Sequence, residues 1–282
     1  MGLPTISVGN DGTSWFVDTR QRMLRWVNSR WEQVTPTECF IDVGIANVHH
    51  IWAVRHDQHI LKWSGSGWTE PDVNARALGV SVGGDGETWV VNSASQIYRL
   101  TNGQWQEPDE NARAVQIAVG DATNIWCLNK EGEIFKWSGT KWERQGPNTD
   151  KASYITAGSD GSVWCINPEQ KIFKRVNNAW TQPEANARAI RISCGDANNV
   201  WCVNREDTVY RLVNNAWQEV QPQPVTPPTY RLHTVKAGET LDGIALAYHT
   251  TRKAIQDANP QYPSLKTNPD FIEAGWVLRI PG

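Results

Sequence analysis

Short apolar runs recur along most of the chain, each about four residues long and each followed by a turn-forming cluster. Typical runs are ISVG, SWFV, VSVG, TWVV and IWCL, and the clusters between them include NDG, GDG, SDG, EG and NN. Runs of this length, rich in Val, Ile, Trp and Thr and bounded by Gly, Asn and Asp, predict β-strands in tight succession. One class of run is apolar at every position. In SWFV, Trp15 and Val17 take one side and Phe16 the other; in IWCL, Trp126 and Leu128 oppose Cys127. A strand with two apolar faces belongs between two sheets.

The runs form a repeat. A Trp in the second run of each unit stands at Trp15, Trp52, Trp89, Trp126, Trp164 and Trp201, spaced by 37 or 38 residues. A second Trp follows sixteen residues on (Trp31, Trp68, Trp105, Trp142, Trp180, Trp217), and a basic residue ten on (Arg25, Lys62, Arg99, Lys136, Lys174, Arg211). Each unit reads as four strands: a first that runs into Gly, a second with the Trp, a third of the type IYRL or IFKW, and a fourth that begins at the second Trp. Six such units predict an all-β six-bladed β-propeller over residues 1–220. Small residues in the first strand (Ser7, Ser81, Ala118, Thr156, Ser193) suit the innermost place beside a narrow channel. No strand is visibly exchanged between the ends, so the pattern leaves ring closure open.

The W-x-V, I-Y-[RK] and N-G-x-W pieces of these repeats, over residues 5 to about 220, resemble the tectonin repeat family of propeller lectins. The resemblance implies binding of sugars or, in some members, lipid head groups, without catalysis. Repeat 2 departs by a longer first turn (GIANVHHIW), and Leu100, Arg175 and Leu212 stand where Trp26, Trp63 and Trp137 stand in the other units.

Beyond Trp217 the pattern changes. Residues 221–230 hold four prolines in a polar stretch and predict a semi-extended linker. Residues 231–282 predict a small α+β domain, βααβ, with Thr240 capping a helix whose Leu241, Ile244, Ala245 and Tyr248 share one face, and a second helix from about Thr251 to Ala258. Val235, Gly238, Thr240, Leu241, Ile244, Ala245, Asn259, Pro260, Ile272, Gly275, Leu278, Ile280 and Pro281 make the segment similar to a LysM domain. That resemblance implies recognition of GlcNAc-containing polymers such as peptidoglycan or chitin. By position the groove would involve Gly238, Glu239, Thr240, Leu241 and Ile272. Glu239 and Ala274 depart from the usual Asp and Pro, and the loop from Gln261 to Phe271 is longer than typical.

A net charge of −3 argues against nucleic acid as a partner. No basic and apolar leader opens the sequence, which predicts cytoplasmic synthesis, with any extracellular action following release or lysis. Of the five cysteines, Cys127, Cys165 and Cys202 each follow a repeat Trp and read as small buried hydrophobes. Four histidines crowd repeat 2 (His49, His50, His56, His59), but His50 and His56 fall at opposite ends of one strand, so the four cannot share a metal; His56 with His59 across a turn is the remaining pair. No metal, cofactor or catalytic motif is expected.

Candidate sites follow from which residues the fold does not demand. The strand-3 indoles Trp26, Trp63 and Trp137 are replaced in three repeats, so they read either as sugar-stacking platforms or as simple packing. The inter-blade segments pair Asn74 with Arg76, Asn111 with Arg113 and Asn186 with Arg188, and supply fixed donors for a hydroxyl-rich ligand or a clamp between blades. The basic residues of strand 3 read as bonds to neighbouring blades. Uniform repeats point to multivalent binding and away from one reaction centre. The expected function is a non-enzymatic lectin with glycan partners and no cofactor. The alternative is an adaptor in a contractile phage-tail-like particle, with a large protein assembly as partner; lipid recognition finds no polybasic or amphipathic segment to support it.

Overall fold

Six four-stranded antiparallel sheets, each made from one contiguous repeat in the order first to fourth strand, build the main body of the computed structural model. The structure describes residues 3–34, 39–146, 151–220, 230–259, 262, 264–268 and 272–281. Two compact units divide the chain, Met1–Gln221 and Pro222–Gly282. The first is a six-bladed β-propeller. In blade 1 the strands are Thr5–Val8, Ser14–Val17, Met23–Val27 and Arg30–Gln33. Second strands such as Ser14–Val17, Thr88–Val91 and Ile125–Leu128 are buried at every position, as two apolar faces require. Apolar clusters fill the spaces between neighbouring blades. One joins Trp89 and Ile97 of blade 3 to Ile117, Ile125 and Trp137 of blade 4.

The six first strands face the channel as free edges, and each has a backbone N–H that must find an acceptor across the blade boundary. A side chain of the preceding blade supplies it. Ser7 Oγ accepts from Ile45 N at 3.0 Å, Ser81 Oγ from Val119 N at 2.9 Å, Thr156 Oγ1 from Cys194 N at 3.1 Å and Ser193 Oγ from Val8 N at 2.9 Å. Blades 2 and 4 carry Gly44 and Ala118 at that position and use a longer side chain two residues earlier. Asp42 Oδ2 accepts from Val80 N at 2.8 Å, and Gln116 both accepts from Ile155 N (2.9 Å) and donates to Ile155 O (2.8 Å). The small first-strand residues are therefore hydrogen-bonding pins as well as space savers.

The bond from Val8 to Ser193 closes the ring without an exchanged strand. Around it, Trp201, Val203 and Val209 of blade 6 pack on Ile6, Val8 and Phe16 of blade 1. Glycines at the ends of the first strands permit the close approach. A Cβ on Gly120 would stand 2.1 Å from Gly158 O, and one on Gly195 2.2 Å from Gly9 O. Carboxylates of the following turns add bonds to the next blade: Asp11 to Val48 N, Asp85 to Ala122 N and Asp160 to Ala197 N, each 2.8 Å.

The second unit pairs strand Tyr230–Thr234 with Val277–Pro281 around helices Leu241–Ala247 and Arg252–Ala258, with a further turn of helix at Ser264–Thr267. Thr240 and Thr251 cap the two helices by accepting from Gly243 N and Ala254 N. Val235, Leu241, Ile244, Ile255, Leu265, Leu278 and Ile280 form the core. Buried Asn259 ties the second helix to the last strand, bonding Ile255 O, Arg279 O and Arg279 N at 2.8 Å each. Residues 221–229 of the expected linker, Pro260, and most of the Gln261 to Phe271 loop lie outside the described residues.

Two substitutions test the ring. Gly120→Ala should lower stability by roughly 3 kcal/mol, because backbone faces its new methyl, and Ser193→Ala by about 1–3 kcal/mol, because Val8 N–H is left buried and unpaired. Gly67, whose Cβ would meet nothing within 4 Å, is the control. Chemical denaturation reads all three, and a Gly120→Ala protein as stable as Gly67→Ala would refute the assignment.

Candidate functional site

Two inter-blade clefts repeat the same construction. Between blades 2 and 3 a cavity of about 260 Å³ is lined by Ile60, Asn74, Arg76, Asn92, Tyr98 and Trp105. Between blades 4 and 5 a cavity of about 690 Å³ uses the equivalent Ile134, Lys151, Asn167, Phe173 and Trp180. Each combines a basic residue from the blade-to-blade connection with the third-strand aromatic, the fourth-strand indole and the Asn just after the second strand of the following blade. An aromatic wall beside fixed amide and cationic donors can hold the apolar face and the hydroxyls of a sugar ring together.

The connecting segments reach these positions through bonds of their own. Asp72 Oδ1 accepts from Asn74 N, and Arg76 donates from Nη1 to Val73 O and Ala75 O at 2.8 Å. Arg113 and Arg188 repeat that pattern on Glu110 and Ala112 O, and on Ala185 and Ala187 O. The Ala that follows each Arg is buried and clamps the preceding blade: Ala77 N to Gln58 O, Ala114 N to Ser95 O and Ala189 N to Gln170 O. The segment is thus both a clamp and, at Asn74 and Arg76, a cleft wall. Asn74, Asn111 and Asn186 are exposed.

The strand-3 indoles occupy a different place. Trp63 meets Trp15 of the preceding blade edge-on at 5.4 Å, Trp26 meets Trp201 at 6.1 Å and Trp137 meets Trp89 at 5.8 Å. Trp137 is 7% exposed, so its ring offers no face to a sugar, whereas Trp26 and Trp63 are partly buried. The strand-3 cations do not reach across blades as expected. Lys62, Arg99, Lys136, Lys174 and Arg211 lie over the second-strand indole of their own blade at 5.3 to 5.8 Å.

A model of the tectonin domain matches residues 37–115 and 113–239, and a model of the LysM domain matches residues 233–281. The chain belongs to the tectonin domain family. No curated protein matches it. Among solved structures the tectonin propeller is similar to YCF48 bound to D1 peptide (16% identity, TM-score 0.51, 76% of this chain and 80% of that one) and to YCF48 from Cyanidioschyzon merolae (16%, 0.50, 84% and 89%). It is also similar to a protein described as a candidate gluconolactonase (12%, 0.51, 76% and 87%). At these identities the likeness concerns the fold alone.

In the LysM domain the expected groove residues sit at the ends of the two strands, where Val235 exchanges backbone bonds with Trp276 and Gly275. Several already have structural work. Leu241 is 1% exposed, so its side chain belongs to the core and does not face a groove. Thr240 Oγ1 caps its helix, Gly238 turns the loop at φ +86°, and Ile272 packs half-buried on the core. Glu239 accepts from Lys236 N at 2.8 Å and pairs with His233 Nε2 at 2.7 Å, which together hold its carboxyl below the usual range. None of the five groove residues is within a cavity described above.

The tectonin channel is a polar interior space. Its cavity of about 190 Å³ is lined by the first strands, whose opening positions differ in every blade: Thr5, Asp42, Gly79, Gln116, Tyr154 and Arg191. The Arg191 guanidinium lies 4.9 Å from the Tyr154 ring centre. Burial pushes Tyr154 up to about 12 and Asp42 up to about 6, against the lowering effect of Val80 N–H and Arg191 on Asp42. Among the described residues no group of three or more His, Cys, Asp or Glu could hold a metal. His59 pairs with Glu70, and His50 Nδ1 with Asn47 Oδ1, rather than with other histidines. The five cysteines are thiols, four of them buried. No described helix is long and apolar enough to cross a membrane.

Asp42 gives the propeller a pH dependence of defined sign. Its folded pKa lies above the ordinary 3.8, so between about pH 4 and pH 6 the unfolded chain releases a proton that the folded one keeps, and stability falls as pH rises through that window. The loss should be on the order of 3 kcal/mol. Asp42→Asn keeps an acceptor for Val80 N and should flatten the curve between those limits. Equal slopes for both proteins in denaturation across pH 4–7 would refute the burial account.

Proposed function

We propose that the protein is a multivalent, non-catalytic carbohydrate-binding protein in which the propeller takes surface glycans and the LysM domain takes a GlcNAc-containing polymer. Tectonin and LysM domains are non-catalytic binding domains that fit a carbohydrate-binding role. The observation that carries the reading is the recurrence of one cleft design between blades 2 and 3 and between blades 4 and 5, with an indole, a second aromatic, an amide and a basic side chain in equivalent places. Repetition of a modest site is useful when the ligand is itself repeated, since linked weak contacts reinforce one another through effective concentration. The LysM domain, on the same chain, would add a further contact to a polymeric wall.

The test uses the full chain on a glycan array and on peptidoglycan and chitin, with free saccharide as competitor. The exposed side chains of Asn74, Asn111 and Asn186, with Lys151 of the larger cleft, can be truncated together at little structural expense, within about 0.5 kcal/mol each. The quadruple alanine variant should lose ~10-fold or more of its propeller-directed avidity and keep its unfolding midpoint. Failure of the wild type to hold any glycan or wall polymer, or undiminished binding by the folded variant, would overturn the proposal.

A further inference from the structure

Blade 5 places a guanidinium where three other blades bury an indole. The third-strand residue after the stacked cation is Trp26, Trp63 and Trp137 in blades 1, 2 and 4, but Arg175 in blade 5. It fills the same slot. Its guanidinium carbon lies 5.1 Å from the ring centre of Trp126 in the preceding blade and 5.5 Å from that of Trp180 in its own, matching the two indole contacts that Trp63 makes with Trp15 and Trp68.

A charge carried into an inter-blade apolar slot needs a counter-charge, and no described carboxylate pairs with it directly. Its Nη2 donates to the neutral Gln145 Oε1 at 3.0 Å and Asn178 Oδ1 at 3.5 Å, while Nη1 is buried with no acceptor. Burial lowers its pKa, the mark of a cation whose hydration is not replaced. A second cation crowds the same indole: Lys136 Nζ lies 5.5 Å from the Trp126 ring centre, also without a carboxylate partner among the described residues. Both cations line a cavity of about 500 Å³ on the edge of the propeller that carries the turns between first and second strands. Asp121 and Asp160 line it too; Asp121 Oδ1 accepts from Thr123 N and Oγ1, Asp160 accepts from Ser162 N and Ala197 N, and neither carboxylate forms an ion pair with Arg175 or Lys136 among the described residues.

We infer that the cleft between blades 4 and 5 at Trp126, Lys136 and Arg175 binds the oxyanion, carboxylate or phosphate, of an acidic saccharide. The inference rests on the carbohydrate-binding reading but concerns a cleft on the other edge from those that carry it. An oxyanion would meet the guanidinium through its N–H edge, since two indoles lie against it, and would supply the direct charge partner that Arg175 and Lys136 lack among the described residues. Blades 3 and 6 hold Leu100 and Leu212 in the slot and blades 1, 2 and 4 hold Trp, so no equivalent anion site exists at the other blades.

Isothermal titration of the full chain at low ionic strength with D-glucuronate, D-glucose 6-phosphate, D-glucose and inorganic phosphate tests this. The wild type should hold one of the acidic sugars ~10-fold more tightly than glucose, the gain expected of a charge-assisted bond, and the stronger of the two identifies carboxylate or phosphate. Arg175→Trp, which restores the residue of three other blades, and Arg175→Gln should abolish that preference with the unfolding midpoint maintained in at least one of them. An acidic preference that survives in both variants, or none in the wild type, would overturn the inference while leaving neutral-sugar binding elsewhere intact. Arg175-dependent uptake of inorganic phosphate with no saccharide held would instead keep the anion site and overturn the carbohydrate reading.

Discussion

A propeller blade has a free edge facing the channel, and the backbone N–H groups of that edge are the constraint on which the ring depends. The first strand of each blade has a hydrogen-bonded neighbour on one side alone. An N–H buried on its other side and left unpaired would forfeit more than a typical hydrogen bond contributes. Six side chains meet the requirement, one per boundary: Ser7, Asp42, Ser81, Gln116, Thr156 and Ser193. Because the boundary between blades 6 and 1 is pinned like the other five, the ring needs neither an exchanged strand nor a covalent link. The glycines that end the first strands are the steric counterpart of the pins, since bonds of this length require backbones to approach where a Cβ would collide.

The pins settle which surfaces remain for a ligand. Once the inner strands are fixed, the second-strand indoles and the strand-3 slot residues pack the space between blades, and an indole as buried as Trp137 has no free face. The outer strands are less crowded, and fourth-strand Trp105 and Trp180 line open clefts although their counterparts recur in all six repeats. Indispensability to the repeat and contact with a ligand are therefore compatible at the outer strand and exclusive at the inner ones. A cleft written into the repeat is available more than once.

The number of blades, the strand order, the LysM domain and the buried second strands were legible in the sequence, because each is a property of spacing. The hydrogen-bonding duty of Ser7 or Thr156 was not, since nothing in a single repeat says which N–H of the next repeat faces it. Trp26, Trp63 and Trp137 were legible only as a choice between packing and stacking, for a related reason. Their replacement by Leu100 or Leu212 shows that the slot tolerates a smaller apolar residue, which is a statement about packing and not about ligands. The connecting segments were half legible: Asn74 and Arg76 do stand at a cleft, but the clamp is made by the buried alanines that follow the arginines. Leu241 matched a groove position by pattern while its apolar side chain answered the stronger demand of the core.

One correlation ties the pins to the clefts. The two boundaries beside whose connecting segments cavities are described above, 2 to 3 and 4 to 5, are the two at which the hydroxyl is replaced by Asp42 or Gln116 acting two residues earlier. Two residues earlier on the first strand is about 7 Å nearer the edge at which the chain enters the blade, the edge where the connecting segments lie. A cleft removes packing between the outer parts of two blades at that edge, and a pin moved toward it restores a bond between their inner parts. Gly44 and Ala118 show the same trade from the other side: with the pin displaced, the hydroxyl position shrinks to a residue that only has to fit, and a Cβ on Gly44 would already stand 3.0 Å from Val80 O. At three of the four hydroxyl pins, Ser7, Ser81 and Thr156, the following turn contributes a carboxylate bond to the next blade from Asp11, Asp85 or Asp160 at the opposite edge. Four of the six boundaries are thus held at the hydroxyl position and two by the earlier side chain, and the cavities described at the connecting edge fall at the two boundaries whose bond lies nearest to that edge.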